Sequence, residues 1–439
     1  MKALATLTSL LLSTALLLVG HGMQLTLLPL RATGLGFSDF LVGVSGSAYF
    51  GGFVVGCFVN PHMIARVGHI RSFAVLAALL MCAVLLVSIF SHWAIWLLAR
   101  FVIGLMICGL YTVIESWLND QSSSDNRGQV LSIYTFLVLI SMAAGQMLIN
   151  IAPIDTTVPF VLAAIFVSLA IVPVGLTRSL APAPIEATRP RFTLLYSRSK
   201  VAFAGAVLSG LVVGSFWSLG AVFAARTGSS LGEVTLFITT AIVGGALLQY
   251  PIGWLSDRMD RKRVMVGLCG LGALGGAGVA YSAGQHWHLA AVFGFGAMTM
   301  PLYAIALAVA ADHSSSDEFV TIGTSVLLLN AVAAALAPLG LGQLMDQFGA
   351  PALFWAFSAM LLLGAVYIAV QRHTAPSVAV SAQVPFSAAG PDVTPTAFDL
   401  DPRGPENSEG DIQPAEERPS LIDEQASSSS EPQKKSASQ

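Results

Sequence analysis

Charge is scarce in this chain. Only 10% of its 439 residues are Asp, Glu, Lys or Arg, while 55% are hydrophobic, against roughly 25% and 45–50% in soluble globular domains. Too few polar side chains exist to cover a water-exposed surface, so the composition implies a bilayer. Cysteine is scarcer still. Cys57, Cys82, Cys108 and Cys269 stand singly in apolar runs, without CxxC spacing or a neighbouring histidine; they read as small buried hydrophobes, not as metal ligands or disulfides. No nucleophile motif, phosphate loop or metal-ligand spacing is present, so neither an enzyme nor a cofactor is expected. No basic patch exists either, which argues against nucleic-acid binding.

What the sequence does have is long apolar runs. A membrane-spanning helix needs about 20 mostly apolar residues, because its backbone polar groups must be satisfied within the segment. Such runs lie near residues 4–30, 40–61, 72–91, 93–117, 129–151, 159–176, 201–224, 234–255, 264–283, 289–311, 319–344 and 352–370. There are twelve of them. The first follows Lys2 like a signal peptide, but it continues from Ala3 to Leu30 with no A-x-A site and reads as a retained membrane helix.

The cations set the orientation. With the N-terminus inside, eighteen Lys and Arg fall on cytoplasmic segments, only Arg31 and Arg226 fall outside, and Arg100 lies within a helix. By the positive-inside rule both termini are cytoplasmic. A loop near 179–199 with Pro182, Pro184 and Pro190 divides the runs six and six. The expected organisation is a bundle over 1–178, a linker over 179–199, a second bundle over 200–372 and a tail over 373–439. The tail carries eleven acids against four bases, is rich in Pro, Ser and Glu, and reads as a disordered, solvated extension.

The halves also resemble each other. DQSSSD at 120–125 recurs as DHSSSD at 312–317, and the same offset of 192 lays ARVGHIR (65–71) over DRMDRKR (257–263). Two loops agreeing in offset, topological position and charge point to a duplicated six-helix unit.

Twelve helices in two repeats, each with a basic loop between its second and third helix, resemble the major facilitator superfamily over residues 1 to about 372. The segment from Gly253 to Arg263, GWLSDRMDRKR, is similar to the family signature G-x-x-x-D-R-x-G-R-R/K, with Asp260 where a second glycine is usual. The resemblance implies an all-α membrane protein of two pseudo-symmetric six-helix bundles that rock about a midplane site. It makes Gly253, Asp257, Arg258, Asp260 and Arg261 gate elements whose ion pairs break and reform, with Arg66, Gly68, Arg71 and Arg127 as their N-terminal counterparts. The N-terminal copy is degenerate, with Pro61 and Ala65 where the signature has its glycine and acid. Leu97, Arg100 and Gly104 match L-x-x-R-x-x-x-G, a motif associated in the family with proton coupling. The fifth helix reads AAGQ, ending Gly145-Gln146, where drug/proton antiporters carry a glycine-proline motif. ESWLND (115–120), followed by Arg127-Gly128 and S-I-Y, is similar to a subgroup of uncharacterised bacterial inner-membrane members typified by YcaD.

Few ionisable residues lie deep in the runs, and each is costly there. Arg100 either binds an anionic substrate and responds to a partner acid, or snorkels outward to pair with Asp39 or Asp155. Glu115 either latches onto Arg66, Arg71 or Arg127, or carries a proton. His21 either carries a coupling proton or packs as a neutral histidine. In the resembled fold Gln24, Tyr111, Gln146, Trp217, Gln249, Tyr303 and Asn330 are candidate lining residues, and amides and aromatics suit a neutral or amphipathic organic solute. The expectation is therefore a monomeric secondary transporter of a small organic solute in the bacterial inner membrane, proton-driven and an exporter in one version. The alternatives are an uncoupled facilitator and a non-transporting receptor or scaffold acting through its tail.

Overall fold

The computed structural model describes residues 2–122, 126–176, 188–374, 378–387, 390, 393–401 and 403. Among them, twelve helices are long and apolar enough to cross a membrane: α1 (Thr8–Gly34), α2 (Asp39–Val67), α3 (His69–Ile89), α4 (Trp93–Asp120), α5 (Arg127–Ile151), α6 (Val158–Gly175), α7 (Lys200–Arg226), α8 (Leu231–Ser256), α9 (Arg261–Ser282), α10 (His288–Ala311), α11 (Ser316–Phe348) and α12 (Ala352–Arg372). Local chemistry starts several of them. Ser38 accepts from Leu41 N–H ahead of α2, Ser230 and Glu233 form a capping box on α8, and Asp260 accepts from Lys262 N–H at the head of α9. Gly68, at φ 87°, turns α2 into α3 within one residue, a backbone conformation that favours glycine.

The packing repeats. α1 rests on α5 and α6, α2 on α4, and α3 on α4 and α6; six helices later α7 rests on α11 and α12, α8 on α10, and α9 on α10 and α12. These are two pseudo-symmetric six-helix halves, joined chiefly by α2 with α11, then by α7 with α1 and α2, and by α5 with α8. Close approach within a half depends on small residues: a Cβ built on Gly104 would overlap the Tyr49 carbonyl, and one on Gly52 the Phe101 carbonyl, so α2 and α4 touch backbone to backbone. The outer surface is apolar, with Leu98, Phe136, Leu274 and Leu363 exposed where acyl chains would lie. Cys82 belongs to that surface and is exposed, contrary to the expectation that all four cysteines are buried; Cys57 and Cys108 are buried with their sulfurs 3.6 Å apart.

Two helices are irregular. α7 has a π-helical turn over Gly210–Gly214, and α10 breaks between Thr299 and Leu302, where Pro301 has no N–H to give. Both irregularities face the space between the halves. The start of α1 and the C-terminal ends of α2, α4, α8, α10 and α12 share one face, here the tail face; the other is the far face.

Residues 177–187, which take in the first part of the expected linker, lie outside the described residues, as do 404–439 of the tail; the rest of the linker is described and carries a short helix over Phe192–Arg198. The described part of the tail differs from the expected solvated extension. Val393, Thr394, Thr396, Ala397, Phe398, Leu400 and Asp401 are buried against the helices. The reason is local: Val393, Phe398 and Leu400 supply apolar side chains, and the Thr394 and Thr396 hydroxyls reach the buried Glu115.

Candidate functional site

A cavity whose non-atom space, open solvent included, is about 730 Å³ lies between the halves. α5 contributes Tyr134, Thr135, Val138, Leu139 and Met142; α7 and α8 contribute Val213, Trp217, Ile242 and Gln249; Met300 enters from the break in α10. Tail residues Gly390 and Val393 complete the lining. A second space of about 450 Å³, bounded by Tyr49, Phe50, Phe53, Tyr111 and Asn330, shares Val213 and Trp217 with the first. Trp217 and the π-turn of α7 thus partition one region into two lobes. Their walls are mostly apolar, with a few polar atoms, as befits a small-molecule site.

Beside the second lobe sits a cationic cluster. His21 Nε2 lies 3.2 Å from Tyr49 Oη, the guanidinium of Arg100 lies 5.0 Å over the Tyr49 ring, and the Tyr111 ring meets His21 edge-on at 6.5 Å. Arg100 is 2% exposed, and among the described residues its Nε and Nη1 have no hydrogen-bond partner. It neither snorkels nor pairs with Asp39 or Asp155. Asp39 instead holds Arg226 at 3.0 Å on the far face. The apolar stem of α4 places Arg100 too deep to reach that rim.

Glu115 also departs from the expected latch. It is fully buried on the inner side of α4, accepts from Tyr134 Oη at 3.1 Å and receives Thr394 N–H at 2.9 Å together with the Thr394 and Thr396 hydroxyls. Arg66 and Arg71 are exposed on the outer rim and form no salt bridge among the described residues, because their helix faces point away from Glu115. Arg127 heads α5 and makes no salt bridge among the described residues.

Of the seven expected lining residues, Tyr111, Trp217, Gln249 and Asn330 border the two lobes. Gln24, Gln146 and Tyr303 do not: all three are buried among helices. Gln146 donates to the Gly22 carbonyl at 2.7 Å and ties α5 to α1; Asn330, besides bordering a lobe, donates to Ala206 O at 3.2 Å.

At the tail face of the second half, Arg261 is 2% exposed and bridges Asp257 at 2.6 Å and Asp312 at 2.5 Å. Burial pushes the Asp312 carboxyl up, while Arg261 and the Val384 N–H pull it down. Asp260 caps α9 and pairs with Arg372 at 3.4 Å. Arg258 is exposed and lies over Trp254 at 4.1 Å, with no salt bridge among the described residues. Gly253 makes room for the Phe386 ring, which a Cβ there would overlap.

The far face is shut by different groups. The Asp346 carboxylate at the end of α11 accepts from Asp39 N–H at 2.9 Å and Phe40 N–H at 3.0 Å, the exposed first turn of α2. Asn150 of α5 donates to Thr235 of α8 at 2.8 Å.

The family model described as Major Facilitator Superfamily matches residues 10–317 and 202–398. The chain belongs to this superfamily. Relatives include the uncharacterized MFS-type transporter Ent638_1421 of Enterobacter sp. (strain 638), 29% identical over 75% of this chain and 86% of its own. The uncharacterized MFS-type transporter YcaD of Escherichia fergusonii is 27% identical over 81% of this chain and 93% of its own. Among solved structures, the nucleoside transporter NupG superposes with a TM-score of 0.72 at 12% identity, over 83% of this chain and 98% of that one. A bacterial homolog to human lysosomal transporter Spinster, inward-facing and occupied, gives 0.69 at 14%, over 86% and 97%. The chain is a membrane transporter of this superfamily, in its YcaD-like group.

Within this transporter several residues of the candidate site escaped the sequence reading. Tyr49 sits in SGSAYFGG, where an aromatic hydroxyl among small residues is the available signal. Tyr134 was visible only as part of S-I-Y. Asp346 and Thr394 act across more than 200 residues of chain and Phe398 reaches back to Phe319 and Gly323, and no local pattern marks their partners.

Proposed function

We propose that the protein moves a small, amphipathic organic solute by alternating access, with the two lobes around Trp217 as its binding region. The supporting observation is a mostly apolar cavity between two pseudo-symmetric halves, closed at the far face by reversible polar contacts. In the proposed orientation both termini are cytoplasmic, so the face that these contacts close is the periplasmic one, and the protein acts as a monomer in the bacterial inner membrane. Gln249, Asn330 and Tyr111 supply the oriented polar contacts, and Arg100 is a fixed cation for a polar or anionic end of the solute.

Transport is proton-coupled in this reading, and Glu115 carries the proton. It is a fully buried carboxylate hydrogen-bonded to Tyr134, which itself borders the cavity, so its charge state and the cavity's occupant act on each other. Screening purified protein against metabolites by thermal shift identifies the solute, because a ligand at a hundred times its Kd adds about 2.7 kcal/mol to the folded state. Counterflow and gradient-driven uptake in proteoliposomes then separate the versions. Glu115→Gln should keep counterflow and lose accumulation driven by a pH gradient; accumulation surviving in that variant overturns the coupling assignment, and equal parental exchange with and without the gradient identifies an uncoupled facilitator.

A further inference from the structure

The tail touches both halves at the mouth of the cavity. Its backbone adds to the motif of the second half: Val384 N–H donates to Asp312 at 3.0 Å, Arg261 donates to Val384 O at 2.5 Å, and Phe386 N–H donates to Asp257 at 3.0 Å. It then crosses to the first half, where Thr394 and Thr396 bind Glu115. Residues Pro395–Asp399 form a short helical turn in contact with both α4 and α11. Two aromatic rings fill hollows left by missing side chains. Phe386 lies on Gly253, and Phe398 lies on Gly323, whose Cβ would fall 2.8 Å from the ring. Phe398 also meets the Phe319 ring edge-on at 6.1 Å. Beyond it, Arg403 lies over the other side of the cluster, 5.1 Å from the Phe319 ring, with its guanidinium paired to Asp401 at 2.6 Å.

We infer that the described tail residues 384–387, 390, 393–401 and 403 act as a tethered plug, docked across the two halves so that the cavity is closed toward the tail face until they leave. Three observations converge on this. The segment satisfies a fully buried carboxylate that has no cationic partner among the described residues. Its rings match glycine hollows on α8 and α11. Gly390 and Val393 form part of the cavity wall itself. The occupant is therefore the chain's own C-terminal segment, and the receptor surface is Glu115, Asp257, Arg261 and Asp312 with Gly253 and Gly323. The consequence that the plug restrains transport rests on the transporter reading; the docking does not.

The test labels Gln249→Cys, in the cavity wall seven residues from the tail-face end of α8, with a membrane-impermeant maleimide applied to the tail face. Mass spectrometry of the peptide reads the rate without removing native cysteines. The comparison is between the otherwise native full chain and the full chain carrying Phe386→Ala, Thr394→Val and Phe398→Ala, which keeps the tail's length. Labelling should accelerate by about tenfold or more, since each hydrogen bond lost to a charged group is worth roughly a factor of ten in the docked population. Equal rates overturn the plug. Amide exchange in the native full chain gives a second reading that needs no variant: Thr394, Ala397 and Leu400 N–H should be protected, and exchange at the rate of a free peptide overturns the inference. A plug confirmed by both measurements, with uptake unchanged in the triple variant, leaves the docking intact and counts against transport control alone.

Discussion

Asp346 is the residue on which closure of the far face turns. Its carboxylate binds two N–H groups in the first turn of α2, so it satisfies orphan donors and sits at the positive end of the helix dipole. Hydrogen bonds to a charged group contribute about 1.5–3 kcal/mol; with one carboxylate serving two donors near the surface, about 2 kcal/mol in total is a fair value for Asp346→Ala. That corresponds to roughly a thirtyfold rise in the far-face-open population. Asp346→Asn keeps an acceptor and loses the charge, so about 1 kcal/mol and a fivefold rise are expected. Arg226 pairs with Asp39 nearby, yet its side chain is 43% exposed, and an exposed pair is worth about 0–1 kcal/mol; Arg226→Gln should therefore do least. Ser218 reports the opening, being 2% exposed where a Cβ on Gly46 of the other half would strike it. The labelling rate of Ser218→Cys by an impermeant maleimide from the far face follows the rare open population directly. The order Asp346→Ala, Asp346→Asn, Arg226→Gln, parent should emerge. An Asp346→Ala rate equal to the parent's, or an Arg226→Gln rate above it, refutes the dipole-latch reasoning.

The other predictions concern packing and charge. Gly104→Ala places a methyl against the Tyr49 backbone, and overpacking of about 1–3 kcal/mol should lower the melting temperature in detergent, whereas Gly51→Ala, which has open space around it, should leave it unchanged. Arg261→Ala strands two acids, one of them almost fully buried, at about 3–5 kcal/mol, so it should melt well below the exposed Arg258→Ala. Arg100→Leu removes a buried, unpaired cation; thermal stability should hold or rise while the ligand-induced thermal shift disappears, and a fall in stability with the ligand shift intact would make Arg100 structural. Trp217→Ala should merge the two lobes and weaken the ligand-induced shift by at least the loss of one stacked ring, about 0.5–1.5 kcal/mol.

The twelve spans were legible because bilayer insertion is a local property: length and apolarity of a single segment decide it. The duplicated loops were legible because topology ties cations to one face. Which side of each helix looks inward was not, and that explains the lining residues. Tyr111, Trp217, Gln249 and Asn330 reach the lobes, whereas Gln24, Gln146 and Tyr303 are buried among the helices, Gln146 tying α5 to α1. The expected latch between Glu115 and the rim arginines failed for the same reason. Charge complementarity suggested a partner, but helix rotation put Arg66 and Arg71 outside and Glu115 within.

The tail is the case where composition misled most, and its energetics show why. A segment tethered close to its site acts at an effective concentration in the millimolar range. Half-occupancy then requires only a millimolar Kd, about 4 kcal/mol of binding free energy. Two rings on glycine hollows and a handful of hydrogen bonds to charged groups supply that much even after the cost of ordering a flexible chain. A stretch too polar to fold alone can therefore be ordered by a receptor it never leaves, so low hydrophobicity in a tail excludes a core of its own without excluding a seat on someone else's. The same arithmetic makes the docked state easy to tip: a tenfold weaker segment is docked only about a tenth of the time. Among the described residues the far face has no such device, since its closing groups stand on α2, α5, α7, α8 and α11 and separate only when the halves move.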